Sequence, residues 1–326
     1  MSRSRPPWRR RSFTRPATGL AQRLMVVTDI DGSLLEPGTR SLHDERAALD
    51  FLTARGIPLI VNSSRTRAQI ERLHKTLHLL TPFISEHGSA LFVPHGCFPF
   101  TPERARPALG GGVIEFGRRY HDVVDALRLT SRELAVEIVG FAELTIQDVA
   151  RELGVAIVEA QLAKLREYTE LFRIVDERDA TRSRLFKALR RRGLRCWRTG
   201  RHHLVTATPD RAESLRTLKA MWRQAWGDPI VIGFGDSEED VAWLRHADVA
   251  IIVQNDRTGV PARVLSKLPT VHLTRWPGRR GWSEAIFEFV GALVNPGEQA
   301  KPTNEDVVAR QLPEVDRRLL HTQIDG

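Results

Sequence analysis

From Leu24 onward the apolar positions fall into short solid runs, LMVV, PLIV, IVIG and AIIV. Each run is followed by a longer segment in which apolar residues recur every three or four positions. Short apolar runs bounded by polar residues suit strands covered on both faces, and the intervening periodicity suits amphipathic helices. The pattern predicts a strand over 23–30, a helix over 44–56, a strand over 57–64 and a helix over 66–80. Ala48, Phe51 and Leu52 share one face of the first helix, which Gly56 closes, while Ile70, Leu73, Leu77 and Leu80 align along the second. Two short strands around a turn at His87-Gly88 come next. The alternation returns near the end, with a helix over 210–226, a strand over 229–237, a helix over 238–247 and a strand over 248–255. Strands separated by helices imply an α/β fold with a doubly wound parallel sheet. Trp222, Trp226 and Trp243 fit core positions on helix faces, and Trp282 is placed at the entrance to the site.

Between these halves the texture changes. A Pro/Gly-rich stretch at 94–112 precedes charged helices and short strands such as LFRIVDE and LRCWRTGRHHLVTA. Both halves of the sheet are needed for one core, so the middle reads as an inserted, smaller α/β unit. The expected division is 23–94 with 202–294 as the core, 95–201 as the insertion, 1–22 as a basic, disordered extension, and 295–326 as a polar tail.

Charge sharpens this division. The chain of 326 residues carries a formal +9, yet seven arginines and no acid lie in residues 1–23, leaving +2 for the remainder. The high pI therefore describes a tail. That tail predicts at most weak contact with nucleic acid, and its Arg10–Phe13 sequence lacks the clean apolar segment of an export signal. No run approaches the roughly 20 apolar residues of a membrane span, so no membrane role is expected. The two cysteines, Cys97 and Cys196, lie far apart and fit neither a disulfide framework nor a zinc site. A reducing cytoplasm suits them best. The oligomeric state is not legible.

Ligands of such sheets bind outside the carboxyl ends of the strands. Asp29 and Asp31 end the first strand, with Gly32 to turn the backbone. Asn62, Ser63, Ser64 and Arg65 end the second, and Gly235, Asp236, Ser237 and the run Glu238, Glu239, Asp240 end a third. Clustered carboxylates without Cys or His partners call for a hard cation with oxygen ligands, Mg2+ above all, and Mg2+ commonly accompanies a phosphate. A neutralised carboxylate at Asp29 can then attack phosphorus. Asp31 is placed to protonate the leaving oxygen and later to activate water. Ser63 can bond a phosphoryl oxygen, and a nearby cation should offset the charge in transfer.

These residues carry a resemblance. DIDGSLL resembles the D-x-D-G-[TS]-L signature of haloacid dehalogenase-like (HAD) phosphatases, IVNSSRT their second motif and GFGDSEED their fourth. SSRTRAQI, ISEHGSALFVP, LAKLREYTELF, WRTGRHHLV and RGWSEAI are similar to segments of the mannosyl-3-phosphoglycerate phosphatase family, over about Leu24 to Val290. The resemblance implies a HAD-like Rossmannoid core with an inserted α/β cap. It also implies Mg2+-dependent release of phosphate, through an aspartyl-phosphate, from mannosyl- or glucosyl-3-phosphoglycerate. The small phosphorylated sugar acid would be the partner. Asp29 would be the nucleophile, Asp31 the general acid/base, and Asp29, the Asp31 carbonyl and Asp236 the metal ligands with Asp240 in support. Ser63 and Arg211 would act on the phosphate. Gly32, Ser64, Arg65, Glu86, His87, Gly88, Arg166, Glu167, Glu170, Arg201 and His203 would bind substrate. Two departures stand out: Arg211 in PDRAES occupies the place of a usual lysine, and His87 that of an asparagine. An arginine fork keeps the charge but not the geometry. They leave two rivals open: a phosphatase of another sugar phosphate, or a HAD-like binding protein with weak catalysis.

Overall fold

A computed structural model of the chain describes residues 23–35, 45–208, 210–255, 262–268 and 270–294. The basic extension and the polar tail lie outside the described residues. Among the described residues thirteen strands form two sheets. In chain order they are β1 (Leu24–Thr28), β2 (Leu59–Asn62), β3 (Phe83–Ser85), β4 (Ala90–Pro94), β5 (Arg106–Ala108), β6 (Gly111–Glu115), β7 (Ile138–Gly140), β8 (Thr169–Ile174), β9 (Arg195–Thr199), β10 (His202–Thr206), β11 (Ile230–Gly235), β12 (Val249–Gln254) and β13 (His272–Pro277). The large sheet runs β13-β12-β11-β1-β2-β3-β4-β6-β5, and the small one β7-β8-β10-β9.

β1 lies near the middle of the large sheet, parallel to β11 on one side and β2 on the other. Leu24 and Val26 pack into one hydrophobic layer, Met25 and Val27 into the other, and all four are fully buried. Burying each such side chain contributes about 1.5–3 kcal/mol, which is why a solid apolar run is required here. The helix α1 (Arg46–Ala54) and α2 (Arg67–Leu77) cover the first layer through Ala48, Leu52, Ile70 and Leu73. Trp222 and Trp243 are buried in the second layer, and Trp226 packs partly buried against it. α2 starts where it does because Thr66 and Gln69 cap each other reciprocally.

The expected doubly wound α/β sheet is present: β13, β12, β11, β1, β2 and β3 pair in parallel, and β4, β6 and β5 add antiparallel pairings at one side. Strand membership differs from the sequence expectation in two places. Strands β5 and β6, from the Pro/Gly-rich stretch assigned to the insertion, extend the large sheet. β10, assigned to the core, belongs to the small antiparallel sheet. The small sheet's strands therefore run from Ile138 to Thr206, and the passage between sheets falls after Glu115 and after Thr206 rather than at 95 and 201. Short β5 has few apolar residues, and β10 is as fully buried as the core strands although its sequence, HHLVT, is mixed, so local pattern could not separate them.

Two helices, α3 (Tyr120–Glu133) and α6 (Asp179–Arg191), cover one face of the small sheet. The other face meets α4 (Ile146–Leu153) and α5 (Ile157–Lys164). α5 also leans on the core, where Thr66 Oγ1 donates to the Leu162 carbonyl at 2.8 Å. No helix of the described residues is long and apolar enough to cross a membrane.

Candidate active site

The carboxyl ends of β1, β2 and β11 converge. Asp29 N–H donates to the Phe234 carbonyl at 2.9 Å, which ties the first acidic residue to the strand beside it. The chain then turns at Gly32, whose φ is +85°. A Cβ at Gly32 would lie 1.9 Å from Asp236 Oδ2, so only glycine lets the two acidic loops approach this closely. One carboxylate oxygen from each of Asp29, Asp236 and Asp240 lies within 4.8 Å of the others. Asp240 is buried and holds its loop, with Oδ2 accepting from Asp236 N, Ser237 N and Ser237 Oγ and Oδ1 accepting from Trp243 Nε1.

Three clustered carboxylates leave negative charge uncompensated. Desolvation, then Asp240, Asp31 and Asp236, push Asp29 well above the usual carboxylate range. Desolvation, then Asp240 and Asp31, push Asp236 up to about 7. Such a donor set fits a hard divalent cation. It also fixes a sign. Between about pH 4, where an unfolded aspartate titrates, and about 7, the native state holds protons that the unfolded chain does not. That contribution is complete below the window and is lost as pH rises through it. In chelator, the thermal midpoint is expected to fall from about pH 5 to about pH 8, and Asp236→Asn is expected to flatten the fall. A curve of equal slope in the variant would contradict the charge crowding.

Asp31 stands beside this cluster with its carboxylate turned to Arg65, which grips both oxygens at 2.9 and 2.6 Å. Ser63 is buried at the end of β2, and its Oγ accepts from Arg65 N at 3.3 Å. Ser64 is half-buried in the same loop. The next turn is unusual: Glu86, His87 and Gly88 all have positive φ, +46°, +59° and +86°. Two non-glycine residues in this region cost about 1–2 kcal/mol each, and the turn is held by Glu86 N–H to Arg65 O and His87 N–H to Ser63 O. A Cβ at Gly88 would meet the Arg211 carbonyl at 2.5 Å, so this turn and the Arg211 segment press together. Burial, with Arg211 and Arg166 adding to it, holds the His87 imidazole well below its ordinary value.

The Glu86 carboxylate is fully buried and already occupied. Oε1 accepts from Glu167 N, and Oε2 accepts from Tyr168 N, Thr169 N and Thr169 Oγ1, at 2.6–3.2 Å. It anchors the strand β8 entry rather than offering an oxygen to a ligand. Arg166 sits close by, 4.0 Å from Glu86 and donating to Thr169 Oγ1. Glu167 lies 3.9 Å from Arg67.

Three residues expected on substrate lie elsewhere. Glu170 is buried toward α3, accepting from Tyr120 OH and Ala142 N. His203 is buried among Phe172 and Phe186 and pairs with Glu177 at 3.1 Å. Strand alternation places both on the sheet face under α3 and α6, opposite the face of Trp197 and Leu204. Arg201, in the β9–β10 turn, is exposed and donates to the Glu152 carbonyl. Trp282 is not at an entrance. It is fully buried, and its Nε1 donates to Thr28 Oγ1, which in turn donates to the Asp29 carbonyl. Trp282 thus steadies the end of β1 from below.

Sequence reasoning missed two participants, Trp197 and the reach of Glu239. Trp197 Nε1, on β9, donates to Glu239 Oε1 at 3.1 Å, and Glu239 Oε2 lies 3.2 Å from His87 Nδ1 and 3.8 Å from Arg211. The acidic run was visible, but its cross-sheet partner was not.

A mostly parallel sheet with acidic residues at the ends of adjacent strands, topped by a separate small sheet, is the arrangement of a haloacid dehalogenase-like phosphatase, a phosphoric monoester hydrolase. Residues 26–96 match the family model described as haloacid dehalogenase-like hydrolase. The chain belongs to the mannosyl-3-phosphoglycerate phosphatase family. It is 32% identical over 268 residues to the glucosyl-3-phosphoglycerate/mannosyl-3-phosphoglycerate phosphatase of Methanococcoides burtonii, covering 82% of this chain and 97% of that protein. It is 28% identical over 272 residues to the protein of the same name from Persephonella marina, covering 83% and 98%. A solved haloacid dehalogenase-like hydrolase from Bacteroides thetaiotaomicron superposes with a TM-score of 0.56 at 18% identity, over 81% of this chain and 98% of that one. That likeness concerns the fold.

Proposed function

We propose that this phosphatase hydrolyses the phosphate ester of a glycosyl-3-phosphoglycerate, mannosyl or glucosyl, to the glycosylglycerate. The gathering of Asp29, Asp236 and Asp240 within 4.8 Å, with Asp31 beside them, carries the reading. The names of its relatives supply the substrate class. Three arginines, Arg65, Arg166 and Arg211, border the carboxylates or His87, and a phosphate next to a glycerate carboxylate suits several guanidinium groups.

Asp29, the Asp31 carbonyl and Asp236 would hold Mg2+ with Asp240 in support through the loop it bonds, and the ion when bound offsets the negative charge of the phosphoryl group and its surroundings. Asp29 attacks phosphorus, the bond from phosphorus to the glycerate oxygen breaks, and Asp31 gives that oxygen its proton. Water then attacks the aspartyl-phosphate, Asp31 takes the water's proton, and the bond from phosphorus to Asp29 breaks. For both transfers Asp31 must turn from Arg65, whose guanidinium is then free for an oxyanion of the substrate. The small sheet with its helices acts as a cap that excludes water and reads the organic group. Cys97 and Cys196 are unbonded, which fits a cytoplasmic place of work.

Phosphate release from both glycosyl esters, measured with Mg2+ and with chelator, tests this. Metal-dependent release is expected, and a thermal midpoint raised by Mg2+ is expected alongside it. A folded protein that releases no phosphate from either ester, yet does so from other sugar phosphates, would overturn the substrate assignment.

A further inference from the structure

Arg211 is a nearly buried cation on a loop of the core, with its side chain 13% exposed and its Nε without a hydrogen-bond partner. Its nearest ion-pair partner is Glu239 at 3.8 Å, and Asp240 and Asp29 also act on it through their charges. Its guanidinium carbon lies 5.8 Å from the centre of the Trp197 ring. The His87 ring meets the same indole edge-on, at 5.2 Å and 90°. Arg211 and His87 come from two core loops, Glu239 from a third, and Trp197 from the small sheet. The Glu239 carboxylate touches them all: one oxygen takes the indole N–H, and the other faces His87 and Arg211.

We infer that Glu239 is a positioning residue that sets Arg211 beside the reacting phosphate and, through Trp197, makes that setting depend on cap closure. The inference rests on the phosphatase reading above. An arginine fork can point its charge in several directions, and without Glu239 its local anions are Asp240 and Asp29, toward which it would collapse. Glu239 holds it back from those carboxylates. The indole N–H and the Thr199 hydroxyl, both from the small sheet, fix the orientation of Glu239 in turn, because a carboxylate oxygen accepting a directed donor loses its freedom to rotate. With the cap raised, Trp197 leaves, Glu239 loses that constraint, and Arg211 is no longer aimed. Phosphoryl transfer then proceeds at full rate only over a substrate that the cap has enclosed, which protects a phosphatase from spending its nucleophile on any passing phosphate.

A double-mutant cycle of Trp197→Phe and Glu239→Ala tests this, with Glu239→Gln as the conservative companion. Each variant is assayed on the glycosyl esters and on p-nitrophenyl phosphate. Amide exchange of 195–199 is followed by mass spectrometry in parallel. Trp197→Phe, which keeps the ring and removes only the donor, is expected to lower kcat about 10- to 100-fold with KM changed only a few-fold. It is also expected to speed exchange of 195–199. Glu239→Gln keeps an acceptor for the indole, so exchange is expected to stay near wild type while kcat falls. The double variant is expected to be no slower than Glu239→Ala alone. Effects that multiply independently, a change confined to KM, or exchange unaltered by Trp197→Phe would overturn the inference. If wild type proves inactive on the glycosyl esters, the substrate assignment has failed. The cycle on p-nitrophenyl phosphate and the exchange measurement still decide the role of Glu239.

Discussion

Asp29→Asn is expected to reduce phosphate release by on the order of 10^4-fold or more, the scale seen when a nucleophile is removed. The change is nearly isosteric, so the loss cannot be assigned to a collapsed site. Asp29 N–H would still bond the Phe234 carbonyl, and Thr28 Oγ1 would still bond the carbonyl of residue 29. The same substitution is expected to raise the thermal midpoint of the chelated protein at neutral pH. Burial and the charges of Asp240, Asp31 and Asp236 all oppose ionisation of Asp29, and an amide removes that opposition. Lost activity with gained metal-free stability is the signature of a residue kept against the interest of the fold. The paired measurements are single-turnover phosphate release and a thermal scan in chelator. Turnover within tenfold of wild type would place the nucleophile elsewhere, and a lowered midpoint would contradict the crowding of charge.

Much of this arrangement was legible in the sequence because it depends on strand ends. A strand buried on both faces must be apolar along its whole length, so its last residue is marked by the first polar one, and Asp29, Ser63 and Asp236 were found in that way. The fold of a parallel sheet then brings strand ends together without further information. The cap resisted the same reading. Glu170 and His203 lie on strands whose two faces are both covered, and the sequence alternation there does not say which face meets the core. A face assignment off by one residue moves every side chain to the other side. Glu86 is expected on substrate only through the family resemblance of its segment. Its burial beneath the backbone of 167–169 is a contact across 81 or more residues, which no local pattern encodes. Glu239 and Trp197 are separated by 42 residues, and neither alone carries a signal.

Glu86→Ala is expected to destabilise the protein by about 3–5 kcal/mol, the scale for breaking one partner out of a buried, hydrogen-bonded charged group. Removing the carboxylate strands the N–H groups of Glu167, Tyr168 and Thr169 together, and it takes away the acid that lies 4.0 Å from Arg166. Glu86→Gln should fare little better. Donors from the small-sheet strand approach both oxygens, so whichever position the amide NH2 takes, it meets N–H instead of accepting it. Against a typical stability of about 5–15 kcal/mol, this is a large share. It falls on the point where the β3–β4 turn of the large sheet grips the first residues of β8. Opening is therefore expected to be local before it is global, with exchange at 167–169 and proteolysis near Leu165 rising in denaturant before the large sheet melts. The strained turn at Glu86, His87 and Gly88 follows from the same need. Positive φ at Glu86 and His87 brings the Glu86 carboxylate up to the strand while His87 turns to Glu239. Urea melts of the two Glu86 variants, with exchange followed segment by segment, provide the check. Stability within about 1 kcal/mol of wild type, near the net worth of one ordinary hydrogen bond, would mean that the strand entry is held by something other than this carboxylate.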